Sequence, residues 1–227
     1  MRLPILAYHH IAIPPPDADA VRVDLSLPPE AFRQQLQYLV EQGYTTITLS
    51  DLIHHLARGA PLPPKPIILT FDDGYCDAYT RAFPLLQRYG LSGTFFLVTG
   101  FIDQEHPEYL SWAQVKEMHR AGMRFGSHTY THPDLRDKPV EYLVWQILGS
   151  KEAIELRIRE PLRFFSYPSG GYHQLTIDIL RSAHFWGAVT MHQGIEHSSP
   201  DPFKLRRIRI RGDETLTSFA AKLEMEW

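Results

Sequence analysis

A parallel α/β fold, most simply a closed or nearly closed β/α barrel, is what the sequence predicts, and three observations predict it. Short β-branched or apolar runs alternate with amphipathic segments seven or eight times along the chain. The length of 227 residues suits one domain with a full core, spanning residues 1–227. No internal repeat or low-complexity tract breaks the alternation. A doubly wound open sheet is the alternative on the same pattern.

The strands are expected at residues 3–8, 44–47, 66–71, 93–98, 123–127, 163–167, 186–189 and 205–210, where apolar runs are bounded by turn residues. Helices fall between them. Pro28-Pro29-Glu30 opens one, with Phe32, Leu36, Leu39 and Val40 on a single face and Gly43 closing it. Ser50 reads as the N-cap of a short helix, and Ser111-Trp112-Ala113-Gln114 as a capping box. A long helix is expected after Pro139 and a last one from Thr215 to the C-terminus.

Composition narrows the class. The chain is 44% hydrophobic and 22% charged, ordinary for a globular protein. A net charge of −3 gives no electrostatic reason to expect nucleic acid as a partner. No run of about 18 apolar residues exists to span a bilayer. The apolar stretch Leu3–Ala7 is too short for a signal-peptide core. The lone Cys76 excludes an internal disulfide. Twelve histidines and eighteen prolines suggest a loop-rich enzyme more than a helical bundle.

In a β/α barrel the chemistry sits at the C-terminal ends of the strands, and that rule filters the polar residues. The run "PIILTF" ends in Asp72-Asp73-Gly74. Two adjacent carboxylates are costly unless a cation or a shared proton relieves them; a helix N-cap beside a solvated acid would also produce the pair. The strand ending at Ser127 leads into "SHTYTH", with His128 and His132 four residues apart, a spacing that brings two imidazoles onto one face of a turn. Together the two strand ends offer two imidazoles and a carboxylate, a set that holds Zn²⁺ or another divalent transition metal with positions left open. A third strand end, "FFSYPSGGY", makes a turn whose backbone N–H groups suit an oxyanion hole.

"LTFDDG", "SHTYTH" and "FSYPSGG", in this order and spacing, resemble the polysaccharide deacetylase family (carbohydrate esterase family 4). The resemblance runs from about Tyr8 to Ile210. It implies a distorted, incomplete (β/α)7–8 TIM-like barrel and metal-dependent removal of acetyl groups from glycans. It also implies roles: Asp72 as general base, Asp73, His128 and His132 as metal ligands, and the backbone N–H of Ser169, after Pro168, as oxyanion donor. Zinc is the expected metal, with cobalt, nickel, iron or manganese possible occupants of the same ligand set.

The chain departs from the commoner family pattern in two places. That pattern draws its general acid from a C-terminal "Leu-x-x-His", but "KLRRIRIRG" (204–212) holds no histidine. It also has an arginine before the prolines of the turn, where this chain has Ser166-Tyr167. Both departures resemble a subgroup, the poly-β-1,6-N-acetylglucosamine deacetylases, in which the motif order is circularly shifted. There a "Tyr-His" at the end of the first strand supplies the acid. "AYHHI" fits that place, which makes His9 the expected acid and His10 the alternative, since alternation lets only one face the barrel mouth. Arg207, or else Arg163, is expected to brace Asp72.

Tyr8, Trp112, Tyr130, Tyr172 and Trp186 are aromatic candidates for stacking on sugar rings, with Tyr167 and Pro168 also at the substrate side. The loops 103–110 and 192–202 are expected to set specificity. The leading expectation is de-N-acetylation of an N-acetylglucosamine polymer by a monomer. Hydrolysis of acetyl esters or of small amides or imides on the same scaffold is the alternative, as is an inactive glycan-binding relative. The resemblance implies the cell envelope, whereas the N-terminal stretch shows no export signal.

Overall fold

The computed structural model describes residues 1–197 and 201–225. Eight parallel strands form the main sheet: β1 (Ile5–Tyr8), β4 (Thr45–Thr46), β5 (Pro66–Phe71), β6 (Thr94–Leu97), β7 (Arg124–Ser127), β8 (Phe164–Ser166), β9 (Gly187–Gln193) and β10 (Leu205–Arg209). β1 pairs with β10 on one side and β5 on the other, so seven strands close into a barrel. The short β4 adds to the start of β5, at Thr45↔Pro66. The open-sheet alternative is thereby excluded, and the chain is a single-domain, distorted TIM-like barrel. Two further strands, β2 (His10–Ile11) and β3 (Ser26–Leu27), pair apart from the barrel. They and α1 (Ala20–Leu25) carry too few residues to leave a periodic signal.

Outside the barrel lie α2 (Pro29–Glu41), α3 (Leu49–Arg58), α4 (Phe83–Tyr89), α5 (Thr99–Asp103), α6 (Trp112–Arg120), α7 (Val140–Ile158), α8 (Gln174–Ser182) and α9 (Leu216–Glu224). Ser111 and Gln114 form the expected capping box on α6, and Thr215 caps α9. At α3 the cap is Thr48, not Ser50: Thr48 Oγ1 accepts from the Asp51 N–H, and the Asp51 side chain answers the Thr48 N–H, a reciprocity Ser50 lacks. No helix among the described residues is long and apolar enough to cross a membrane.

Alternation along the strands divides the core in two. Ile5, Ile68, Phe96, Phe164, Val189 and Leu205 belong to the smaller cluster, which faces into the barrel and is joined by Leu49 and Leu52 of α3. Their neighbours Leu6, Ile67, Phe95, Phe165 and Ile208 belong to the larger cluster packed under the helices. Extending the interior register by two leads to the polar residues at the top: Ile68 to Thr70 and Asp72, Phe164 to Ser166, Leu205 to Arg207. The barrel floor is therefore apolar and its mouth charged.

Candidate active site

Asp72 and Asp73 leave β5 where Gly74 turns the chain at φ +77°, and a Cβ there would meet the Leu97 side chain at 2.9 Å. Asp72 is buried. Its N–H donates to the Tyr8 carbonyl at 2.9 Å, which fixes it against the end of β1. Arg207, also buried, grips its carboxylate through two parallel bonds, Nη1 to Oδ1 at 2.8 Å and Nη2 to Oδ2 at 2.7 Å. The guanidinium is held in turn by the Thr190 carbonyl and by Thr70 Oγ1, with Ser166 Oγ and Met191 Sδ against Nη2. Burial alone would raise the Asp72 carboxyl, but the charge and hydrogen bonds of Arg207 pull it down to about 2. Arg206 and Arg211 point outward; Arg207 alone of this arginine-rich stretch is fully enclosed.

Asp73, His128 and His132 converge, with ligand atoms all within 4.8 Å of one another. His128 Nδ1 lies 2.7 Å from the Ser166 carbonyl, which can only accept, so Nδ1 carries the hydrogen. In the neutral ring Nε2 is then a bare lone pair, and it faces Asp73 Oδ1 at 3.2 Å. His132 Nε2 reaches the same oxygen at 3.3 Å. That oxygen is buried and has no hydrogen-bond partner. Lone pairs crowded on an anionic oxygen repel unless a cation lies among them, and this is the donor set that suits a divalent metal. Burial lowers the His128 pKa and the carboxylates of Asp73 and Asp72 outweigh it, so the ring is biased toward positive charge when no metal relieves the cluster.

Backbone strain is concentrated here. Asp73, Thr129, His132 and Ser169 all hold positive φ, of 72°, 70°, 59° and 53°. For β-branched Thr129 this conformation is a marked outlier, and the surroundings over-determine it. Its Oγ1 accepts from the His132 N–H at 2.9 Å. Gln146, buried on α7, accepts from the N–H groups of Tyr130 and Thr131 and donates to Thr131 Oγ1. Gln146 was not singled out from the sequence; a glutamine on the core face of the long helix is the signal that would have found it.

His9 and His10 look in opposite directions, as alternation requires. The His9 ring lies in the field of Asp73, Asp72, Arg207 and His128; burial, the largest effect, lowers its pKa. Its Nδ1 is buried without a hydrogen-bond partner. His10 turns outward onto Tyr75, ring centroids 3.5 Å apart, and bonds Asp77.

The same alternation corrects two expectations. Tyr8 lies on the outer face with Phe32 and Phe71, 1% exposed, its hydroxyl donating to Gln35. Tyr167 is likewise enclosed and donates to the Phe203 carbonyl. Neither ring can reach a sugar. Pro168 is buried as well. Tyr130 and Tyr172 keep an exposed part, beside Trp145 and against Tyr167 respectively. Trp112 donates to Asp103 and carries Arg157 on its face. Trp186 and Arg163 stack together at the starts of β9 and β8, the end of the barrel away from the acids, so Arg163 cannot brace Asp72. Tyr75, overlooked in the sequence, stands close enough to Asp73 for its phenol pKa to be raised, by burial first and that carboxylate second. Of loop 192–202, residues 198–200 lie outside the described residues.

A parallel barrel whose mouth holds a braced carboxylate beside a carboxylate–imidazole ligand set defines a hydrolytic barrel enzyme. Residues 59–187 match the polysaccharide deacetylase family, and the chain belongs to it, as a hydrolase of acetyl amide bonds. The structure of the deacetylase PplD from Streptococcus pyogenes, in complex with acetate, superposes with a TM-score of 0.92 at 30% identity, covering 99% of both chains. YxkH of Bacillus subtilis (strain 168) is 28% identical over 223 residues, 98% of this chain and 76% of that protein. The poly-beta-1,6-N-acetyl-D-glucosamine N-deacetylase of Escherichia coli (strain K12) is 31% identical over 120 residues, 47% of this chain and 18% of that protein. His9 and Arg207 lie outside the matched family segment.

Proposed function

We propose that the protein removes N-acetyl groups from an N-acetylglucosamine-containing polysaccharide, with a divalent metal, zinc foremost, held by Asp73, His128 and His132. The observation that carries this reading is the His128 lone pair aimed at the unpartnered Asp73 oxygen, one residue from a base already braced by Arg207. A bound divalent cation supplies Lewis acidity toward the acetyl carbonyl and makes water more acidic. Asp72, held ionised by Arg207, takes a proton from the attacking water. The backbone N–H of Ser169 stands as oxyanion donor. The C–N bond breaks as His9 protonates the departing nitrogen, leaving acetate and a free amine. A proton passed from Asp72 to His9, which share one electrostatic neighbourhood, resets both groups.

The likeness to a poly-N-acetylglucosamine deacetylase and to a deacetylase that holds acetate supports this substrate class over acetyl esters or small imides. The test is acetate release from β-1,6-linked N-acetylglucosamine oligomers by protein loaded with zinc, cobalt or nickel. Turnover should vanish on chelation and return with metal. Metal retained without acetate release from any acetylated glycan would sink the proposal and favour a binding protein.

A further inference from the structure

We infer that Asp77 is a positioning residue that sets where His9 stands; the inference rests on the reading of His9 as the acid. The His9 ring has no hydrogen bond at its buried Nδ1, so the backbone on either side must hold it in place. On the N-terminal side the β1–β5 ladder does this, through Tyr8↔Phe71 and the bond from the Asp72 N–H to the Tyr8 carbonyl. On the C-terminal side the next two residues are both tied to Asp77. Its Oδ2 takes the His10 Nδ1–H at 2.7 Å, and its Oδ1 takes the Ile11 N–H at 2.9 Å. The carboxylate is buried, and each oxygen is used once.

Asp77 also sits five residues beyond Asp72, at the close of the turn that carries both catalytic carboxylates. One side chain therefore joins the acid-bearing strand end to the loop bearing the base and the metal-binding aspartate. Stacking of His10 on Tyr75, in that same turn, adds a second tie between the two segments. A carboxylate suits the position because both incoming groups are donors, whereas an amide would set its own N–H₂ against one of them.

The prediction separates positioning from plain structural support. Asp77→Ala should lower kcat on N-acetylated oligomers by about 10–100-fold, as loss of an orienting partner does. KM and metal content should hold, and an activated acetyl ester, whose leaving group needs no proton, should be hydrolysed nearly as before. In a His9→Ala background the same change should cost nothing further on the amide, because the group it positions is gone. Asp77→Asn, which keeps one acceptor, should fall between wild type and Asp77→Ala, and it stands in if the alanine variant does not fold. Equal losses on amide and ester, or a loss that multiplies that of His9→Ala, would overturn the inference and leave the functional proposal intact. Wild-type and His9→Ala rates that match on the amide would instead sink the acid assignment, and Asp77 with it.

Discussion

At the C-terminal ends of the strands the charged groups are enclosed: Asp72, Asp73, His128 and Arg207 are all buried, and Asp73 Oδ1 and His9 Nδ1 lack hydrogen bonds. At the N-terminal ends a cavity of about 380 Å³ is bounded by Asp51, His119, Arg124, Glu160 and Arg163 among others. Its charges, however, are spent or wet. Asp51 caps α3, and Glu160 pairs with His119 at 3.2 Å and with Arg124 at 3.9 Å in an exposed setting. A cavity lined by charges does not by itself mark the chemistry of this barrel. What marks it is charge carried out of water and held there by opposite charges and hydrogen bonds that outweigh the cost of burial at Asp72, Asp73 and His128.

The sharpest way to break this contrast is Asp72→Asn, which keeps shape and removes the proposed base. Turnover should fall by about 10²–10⁴-fold, with metal content unchanged by elemental analysis. Next comes His9→Ala, with a loss of about 10²-fold or more on the amide and a smaller one on an activated acetyl ester. Matching losses on the two would mean that His9 serves something other than the leaving group.

Arg207→Met should cost about 3–5 kcal/mol of stability in urea melts, because it strands the Asp72 carboxylate in the barrel. It should also move the acid limb of the rate profile to higher pH. In the wild type the Asp72 pKa is depressed to about 2, so its carboxylate is mostly ionised above that pH. The pair's stabilisation is then full above the ordinary carboxylate value of about 3.9 and is lost as pH falls toward about 2. With the cation gone, burial acts unopposed by it and the carboxyl titrates higher. An unmoved acid limb would show that Arg207 does not set the ionisation of Asp72.

The smallest effect belongs to the other end. Glu160→Gln should change stability by less than about 1 kcal/mol and leave turnover as it was. A loss of activity there would overthrow the division between the two ends.

Much of the site was legible in the chain because short-range geometry carried it. Asp72 and Asp73 are neighbours, His128 and His132 sit on one tight loop, and both loops follow apolar runs, so strand periodicity and spacing suffice to bring each pair to a strand end. The orienting groups were less visible. Gln146, Asp77, Ser166 and Met191 act from other elements, and their residue types are common enough that only the folded neighbourhood gives them a task.

Alternation shows both what the sequence holds and where its reading was incomplete. The period of two that turns His9 inward necessarily turns Tyr8 outward, and the same rule sends Tyr167 to the core beside Ser166. Composition, strand–helix alternation and the metal-type ligand set are properties of the sequence by itself, because each depends on residues a few positions apart. Which way His9 and His10 face, the meeting of Arg207 rather than Arg163 with Asp72, and the closing of β1 onto both β5 and β10 were decided only by tertiary structure. Each depends on which face of a strand the barrel encloses and on which strands become neighbours, and parallel strands joined by long crossovers carry that information nowhere in their local sequence.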